Sequence, residues 1–157
     1  MSQPTSLCPC SSEQNYESCC GRFLDGGQLA PNAEALMRSR YTAFCRGAFD
    51  YLRLTWHPES CPDDLGAEEP SNWVHLEVIE FDEDGDEAEV EFKASLIFDN
   101  KLEILHERSF FEKFEGRWVY HSGEFLDDGQ RLKKIAKDAP CPCLSGKIFK
   151  NCHWQAP

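Results

Sequence analysis

The sequence predicts an α+β fold: two helices come first, a four-stranded antiparallel meander follows, and a short cysteine-rich segment frames each end. Three observations carry that expectation. An apolar stripe recurs at three-to-four spacing between Ala33 and Ala48, the period of a helix face. From residue 73 onward the apolar positions alternate with charged ones, and acidic Gly or Asn turns cut the pattern into strands. The third observation is a cysteine spacing that occurs twice.

Near the N-terminus Cys8-Pro9-Cys10 is followed by eight residues and then Cys19-Cys20; near the C-terminus Cys141-Pro142-Cys143 is followed by eight residues and then Cys152-His153. A shift of 133 positions lays each sulfur on its counterpart, with His153 standing where Cys20 would fall. Thiolate and imidazole both ligate zinc, whereas a histidine cannot enter a disulfide. The repeat therefore predicts two zinc knuckles, Cys8, Cys10, Cys19 and Cys20 in one, Cys141, Cys143, Cys152 and His153 in the other. Four protein ligands leave no open coordination position, the mark of a structural ion. About a dozen residues bury too little apolar surface to offset their ordering entropy, and structural zinc contributes on the order of 10 kcal/mol or more. Tyr16 and Phe149, each three residues before the third ligand, are expected to cover the metal's apolar side. The same thiols admit a second reading, release of metal and oxidation as a redox switch.

Asn32 is placed to cap a helix that starts at Ala33 and ends at Gly47. Ala33, Leu36, Met37, Tyr41, Phe44, Cys45 and Ala48 form its apolar stripe, with Arg38, Ser39, Arg40 and Arg46 mostly off it. A second helix over 49–56 stops at His57-Pro58, because the residue before proline disfavours the helical region. Residues 60–72 read as an acidic loop. Strands are expected over 73–81, 87–98, 102–114 with a bulge around Ser109-Phe110-Phe111, and 118–121. Residues 126–138 read as a charged linker compatible with helix. The expected organisation is thus a knuckle in 1–22, a central domain in 30–125, the linker, and a knuckle in 139–157. Cys45 reads as a small buried hydrophobe, Cys61 as a loop residue without a role, and His57 and His121 as surface residues near turns.

With 157 residues, 11 Phe, 4 Trp and 4 Tyr, the middle holds enough apolar mass for one core. The net charge of −12 opposes general nucleic-acid binding, which rests on Lys and Arg neutralising phosphates. No Lys or Arg occurs between Leu54 and Phe92; then Arg131, Lys133, Lys134, Lys137, Lys147 and Lys150 make the C-terminal segment locally basic. The five lysines are the candidate partner-binding residues, and RNA is a target only through that segment. The first residues lack a signal-peptide pattern, and no apolar run approaches the ~18 to 20 residues of a membrane span. A cytoplasmic protein is expected, and nine cysteines in a reducing compartment point to metal over disulfides.

CPCLSGKIFKNCHW resembles the SEC-C motif, known from the C-terminus of the SecA translocation motor; Leu144 stands where glycine is usual. The N-terminal copy keeps four ligands but has Ser11-Ser12-Glu13 in place of Gly-Ser-Gly. Over nearly its full length the chain resembles the YchJ-like family of bacterial proteins, through LMRSRYTAF (36–44), YLRLTWHP (51–58), HERSFFEK (106–113) and GRWVYHSG (116–123). That resemblance implies a cone-shaped, nuclear transport factor 2-like middle domain between zinc knuckles. It brings no established activity. The motif in SecA implies contact with a chaperone or the ribosome.

A cone of that type encloses a pocket, for which Arg38, Tyr41, Trp56, His106 and Arg108 are the candidate residues. His106 and Arg108 share a strand face while Glu107 points the other way, which disfavours a His106–Glu107 catalytic pair. No nucleophile–base signature or phosphate loop is present. Three functions follow: a non-enzymatic zinc-binding adapter docking on ribosome-, chaperone- or translocation-linked partners, a small-molecule binder or acid/base enzyme, and an RNA binder. The adapter is the leading expectation.

Overall fold

The computed structural model describes residues 7–63, 73–126, 133–143 and 145–154, with the side chain of Lys133 outside that set. After a short helix α1 (Gly21–Leu24) come α2 (Ala33–Arg46) and α3 (Phe49–Leu54). Strands β1 (Trp73–Asp84), β2 (Glu87–Phe98), β3 (Lys101–Phe114) and β4 (Arg117–Phe125) then form an antiparallel meander in sequence order.

The local chemistry explains each boundary. Asn32 Oδ1 accepts the Ala35 backbone N–H at 2.7 Å, and Gly47 closes α2 in the left-handed region at φ 69°. Asp99 and Asn100 both take positive φ in the β2–β3 turn, as do Glu115 and Gly116 in the β3–β4 turn, the twist that tight hairpins require. The expected bulge lies on the partner strand: Phe110 pairs with Ser122 and Phe111 with Tyr120, so His121 of β4 is the extra residue.

Beyond α3 the chain runs beside β4. The Tyr120 N–H donates to the Thr55 carbonyl and the His57 N–H to the Tyr120 carbonyl, both at 2.8 Å. This clamp buries His57, against the surface position expected for it. Its Nε2 lies 3.2 Å from Glu112 Oε1, and its ring meets those of Phe114 and His121 edge-on. The linker is not helical where it is described: β5 (Lys133–Lys134) pairs antiparallel with Lys101 and Leu102 of β3. Residues 64–72 of the acidic loop and 127–132 of the linker lie outside the described residues.

Helix α2 is the centre of the molecule. Leu36, Met37 and Tyr41 face the sheet, but Ser39, Arg40 and Thr42 are buried as well. A single apolar stripe did not anticipate this. The helix is enclosed on further sides by α3, where Ser39 Oγ meets Tyr51 Oη at 2.7 Å, and by the N-terminal knuckle. Conversely Phe44, on the expected stripe, is 36% exposed, and Cys45 is half-buried.

Candidate metal centres and the central pocket

The N-terminal repeat sets its ligands by backbone closure. The Cys8 N–H donates to the Gln14 carbonyl, and the Cys19 N–H to the Tyr16 carbonyl below a one-turn helix over Tyr16–Ser18. The C-terminal repeat reproduces this bond for bond: Cys141 N–H to Lys147, Cys152 N–H to Phe149, and a turn over Phe149–Asn151. Sequence reading missed one shared element. Ser12 Oγ lies 3.2 Å from Cys19 Sγ and Ser145 Oγ 3.4 Å from Cys152 Sγ, and each hydroxyl also accepts a backbone N–H two residues on. The 133-residue offset carries this signal, since it lays Ser12 on Ser145. Glu13, at φ 67°, takes the left-handed position that Gly146 fills in the other copy.

The ligand atoms of each set lie within 4.8 Å of one another. Cys10 and Cys19 sulfurs are 3.6 Å apart, Cys19 and Cys20 4.0 Å, and Cys143 and Cys152 3.4 Å. His153 presents Nδ1, at 3.1 Å from Cys141 Sγ and 3.2 Å from Cys152 Sγ. A tetrahedral ion with Zn–S bonds of about 2.3 Å needs sulfurs about 3.8 Å apart, whereas a disulfide needs about 2.05 Å. All of these cysteines are free thiols. Hydrogen bonds to Cys10 and Cys8, with burial, push the Cys20 thiol strongly up, so four thiolates coexist here only beside a cation's charge. Both sets therefore fit a metal ion by geometry and by donor chemistry.

Their surroundings differ. Cys8, Cys10, Cys19 and Cys20 are at most 7% exposed and share one core with Leu36, Met37, Tyr41, Leu76 and Phe92. Arg38 Nη1 donates to the Cys10 carbonyl at 2.9 Å, and Ser11 Oγ accepts the Leu76 N–H. Arg38 thus ties α2 to the knuckle and does not line the pocket, a correction of its expected place. In the C-terminal set Cys141 is buried, while Cys143, Cys152 and His153 are half-buried over a small cluster with Ile97 and Phe149. Phe149 is fully buried as an apolar cover; Tyr16 is half-buried, donates to Asp25 and carries Arg46 over its ring. Lys134, Lys147 and Lys150 are exposed, and Lys137, also exposed, lies over the Trp154 ring at 4.4 Å.

The central pocket lies between α2 and the sheet, about 210 Å³ in volume. Tyr41 and Trp56 line it. His106 and Arg108 do not: they sit on the opposite face of β3, bound to the two oxygens of Glu91 at 3.0 and 2.8 Å. Arg108 and then His106 hold the Glu91 carboxyl below its ordinary range. The inward residues of β3 are Leu105, Glu107 and Ser109. The alternation that separated Glu107 from His106 was right, but the face was chosen by chemistry and not by partners. Register shows the inward face directly, because Glu107 pairs with Phe92 and Ser109 with Val90.

Glu107 Oε1 accepts hydrogen bonds from Tyr120 Oη at 2.9 Å and Ser109 Oγ at 3.1 Å. A Cβ on Gly123 would fall on that same oxygen, so glycine makes the room. Arg40, a second residue missed from sequence, donates to the Leu52 carbonyl and to Thr55 Oγ1 and lies against the rings of Trp56 and Tyr120, which meet each other edge-on. Burial pushes the Glu107 carboxyl above its ordinary value of 4.5. The folded state then binds this proton more tightly than the unfolded chain. Its stabilising effect is complete below the ordinary carboxyl range and is lost as pH rises through the raised value. Glu107→Gln is therefore expected to match the parent's stability near pH 4 and to exceed it increasingly above that range. Urea unfolding across pH checks this; a difference independent of pH would contradict it.

Residues 32–123 match the family model described as the YchJ middle NTF2-like domain, and residues 139–155 match the SEC-C motif. A UPF0225 protein of Streptomyces coelicolor is 47% identical over 128 residues, 79% of this chain and 99% of that one. A UPF0225 protein of Photorhabdus laumondii is 39% identical over 158 residues, 94% of this chain and 98% of its own. The solution structure of a SEC-C motif containing protein from Rhodopseudomonas palustris is similar at a TM-score of 0.67 and 34% identity, covering 78% of this chain and all of that one. A crystal structure of a SEC-C motif containing protein from Psychrobacter arcticus gives 0.60 and 29%, covering 94% and 95%. Sequence, motif and fold agree: the chain belongs to the YchJ-like (UPF0225) family, an NTF2-like middle domain with a SEC-C motif.

Proposed function

We propose that this protein is a non-enzymatic zinc-binding interaction protein of the cytoplasm, whose C-terminal knuckle, residues 139–157, docks on a protein partner. The observation that carries this reading is the unequal burial of two otherwise matching centres. The four ligands of the N-terminal centre are buried within the main core. The C-terminal one stands at the surface, with exposed Lys134, Lys137, Lys147 and Lys150 and a 38%-exposed Ile148. Zinc, held by Cys141, Cys143, Cys152 and His153, would supply rigidity there, and the lysines the complementarity to an acidic surface. Likeness to the SEC-C motif makes ribosome-, chaperone- or translocation-linked proteins the first partners to test. Among the described residues no helix is long and apolar enough to cross a membrane.

The test is capture from lysate with full-length, zinc-loaded protein, alongside Lys147→Glu/Lys150→Glu, which keeps all eight ligands. Reversed charge facing an acidic partner is expected to reduce recovery about tenfold or more while zinc content stays unchanged. Equal recovery by the variant, or capture of RNA alone, would contradict the reading.

A further inference from the structure

We propose that the central pocket binds a small, uncharged, single-ring molecule bearing one carbonyl-type oxygen. Size sets the first limit. An apolar cavity of about 150 Å³ holds benzene, and pockets for drug-sized ligands begin near ~300 Å³. At about 210 Å³ this pocket takes one ring with a short substituent. Its walls are those of a ring site, with Tyr41, Phe44, Trp56, Trp73 and Phe92 around it.

Polarity sets the second limit. Two residues that line the pocket carry polar groups, Trp56 Nε1–H and the Tyr41 hydroxyl, that are out of solvent and make no hydrogen bond. Tyr41 is 3% exposed, and the Cys45 thiol adjoins its hydroxyl without completing a bond. Buried polar groups in folded proteins are rarely left this way, and an indole N–H can only donate. A guest carbonyl oxygen, an acceptor only, suits a donor of this kind.

Charge sets the third. Arg40 is already bound by Leu52 and Thr55 and lies against the rings of Trp56 and Tyr120, and Glu107 is bound by Ser109 and Tyr120. A cationic guest would meet the buried guanidinium of Arg40, and an anionic one the carboxyl of Glu107, each without a free counter-group. A neutral acceptor meets neither penalty. None of the eight candidate metal ligands lines the pocket, so this inference stands apart from the docking reading.

The test titrates full-length, zinc-loaded, ¹⁵N-labelled protein with acetophenone and, separately, with ethylbenzene, the same ring without the oxygen. Acetophenone is expected to move the assigned Trp56 indole N–H resonance downfield and to bind at least ~10-fold more tightly than ethylbenzene, because only it pairs the buried donors. Trp56→Phe, which keeps an aromatic wall, is expected to shrink that ratio several-fold. Should Trp56→Phe fail to fold, the ratio for the parent protein decides alone. An unmoved Trp56 resonance at the solubility limit of acetophenone, or equal affinity for both probes, would overturn the proposal.

Discussion

Cys10→Ser is expected to abolish cooperative thermal unfolding of the whole middle domain, whereas Cys143→Ser leaves the main transition within about 3 °C of the parent, a change of about 1 kcal/mol or less. The two cysteines hold equivalent positions in the repeat, so ligand chemistry alone predicts equal effects. Packing separates them. Cys10 is fully buried, its carbonyl is held by Arg38, and its neighbours include Cys8, whose sulfur lies 3.6 Å from Thr42 Oγ1 of α2. Loss of that centre removes a wall of the core and strands buried thiols. On the order of 10 kcal/mol is at stake where a domain's total is about 5 to 15. Cys143 is half-buried over a separate, small cluster, so its loss frays the tail. Calorimetry of both variants decides; similar transitions in the two would show that the N-terminal centre is an appendage after all.

Arg40→Ala is expected to cost about 2 to 4 kcal/mol, measured by urea unfolding at neutral pH, because two buried acceptors lose their donor. Burial lowers the guanidinium only to about 10, so it is charged in the folded state. Its removal leaves the Leu52 carbonyl and Thr55 Oγ1 without that donor and leaves a void against the rings of Trp56 and Tyr120. It also withdraws the positive charge that eases ionisation of buried Glu107. Arg40→Lys should recover little, because an ammonium has neither the planar face that packs against the two rings nor the guanidinium's fixed fork of donors. A loss below about 1 kcal/mol for the alanine variant would mean that water replaces those contacts freely.

Much of this was legible in the sequence, and the exceptions share a cause. The capping of α2 by Asn32, its end at Gly47 and the strand β2 follow from local chemistry that one segment contains. The eight clustered ligands were readable because a repeat is its own control. What failed depended on partners distant in the chain. Ser39 and Arg40 seemed to face solvent because the knuckle and α3, which enclose α2, leave no trace in the helix's own periodicity. Glu107 was set aside for His106 because an ionisable pair drew more notice than register. Yet Leu105, Glu107, Ser109 and Phe111 share one parity, and two apolar members mark the inner face. His57 is buried by pairing with β4 that no local pattern records.

Both repeats are expected to hold zinc as structural ions. Elemental mass spectrometry of reduced, tag-free protein, with reactive thiols counted alongside, tests it most directly. Two zinc ions per chain are expected, with Cys45 and Cys61 the only thiols outside the metal sites. Absence of zinc, with the seven ligand cysteines open to thiol reagents or pairing on mild oxidation, would contradict it.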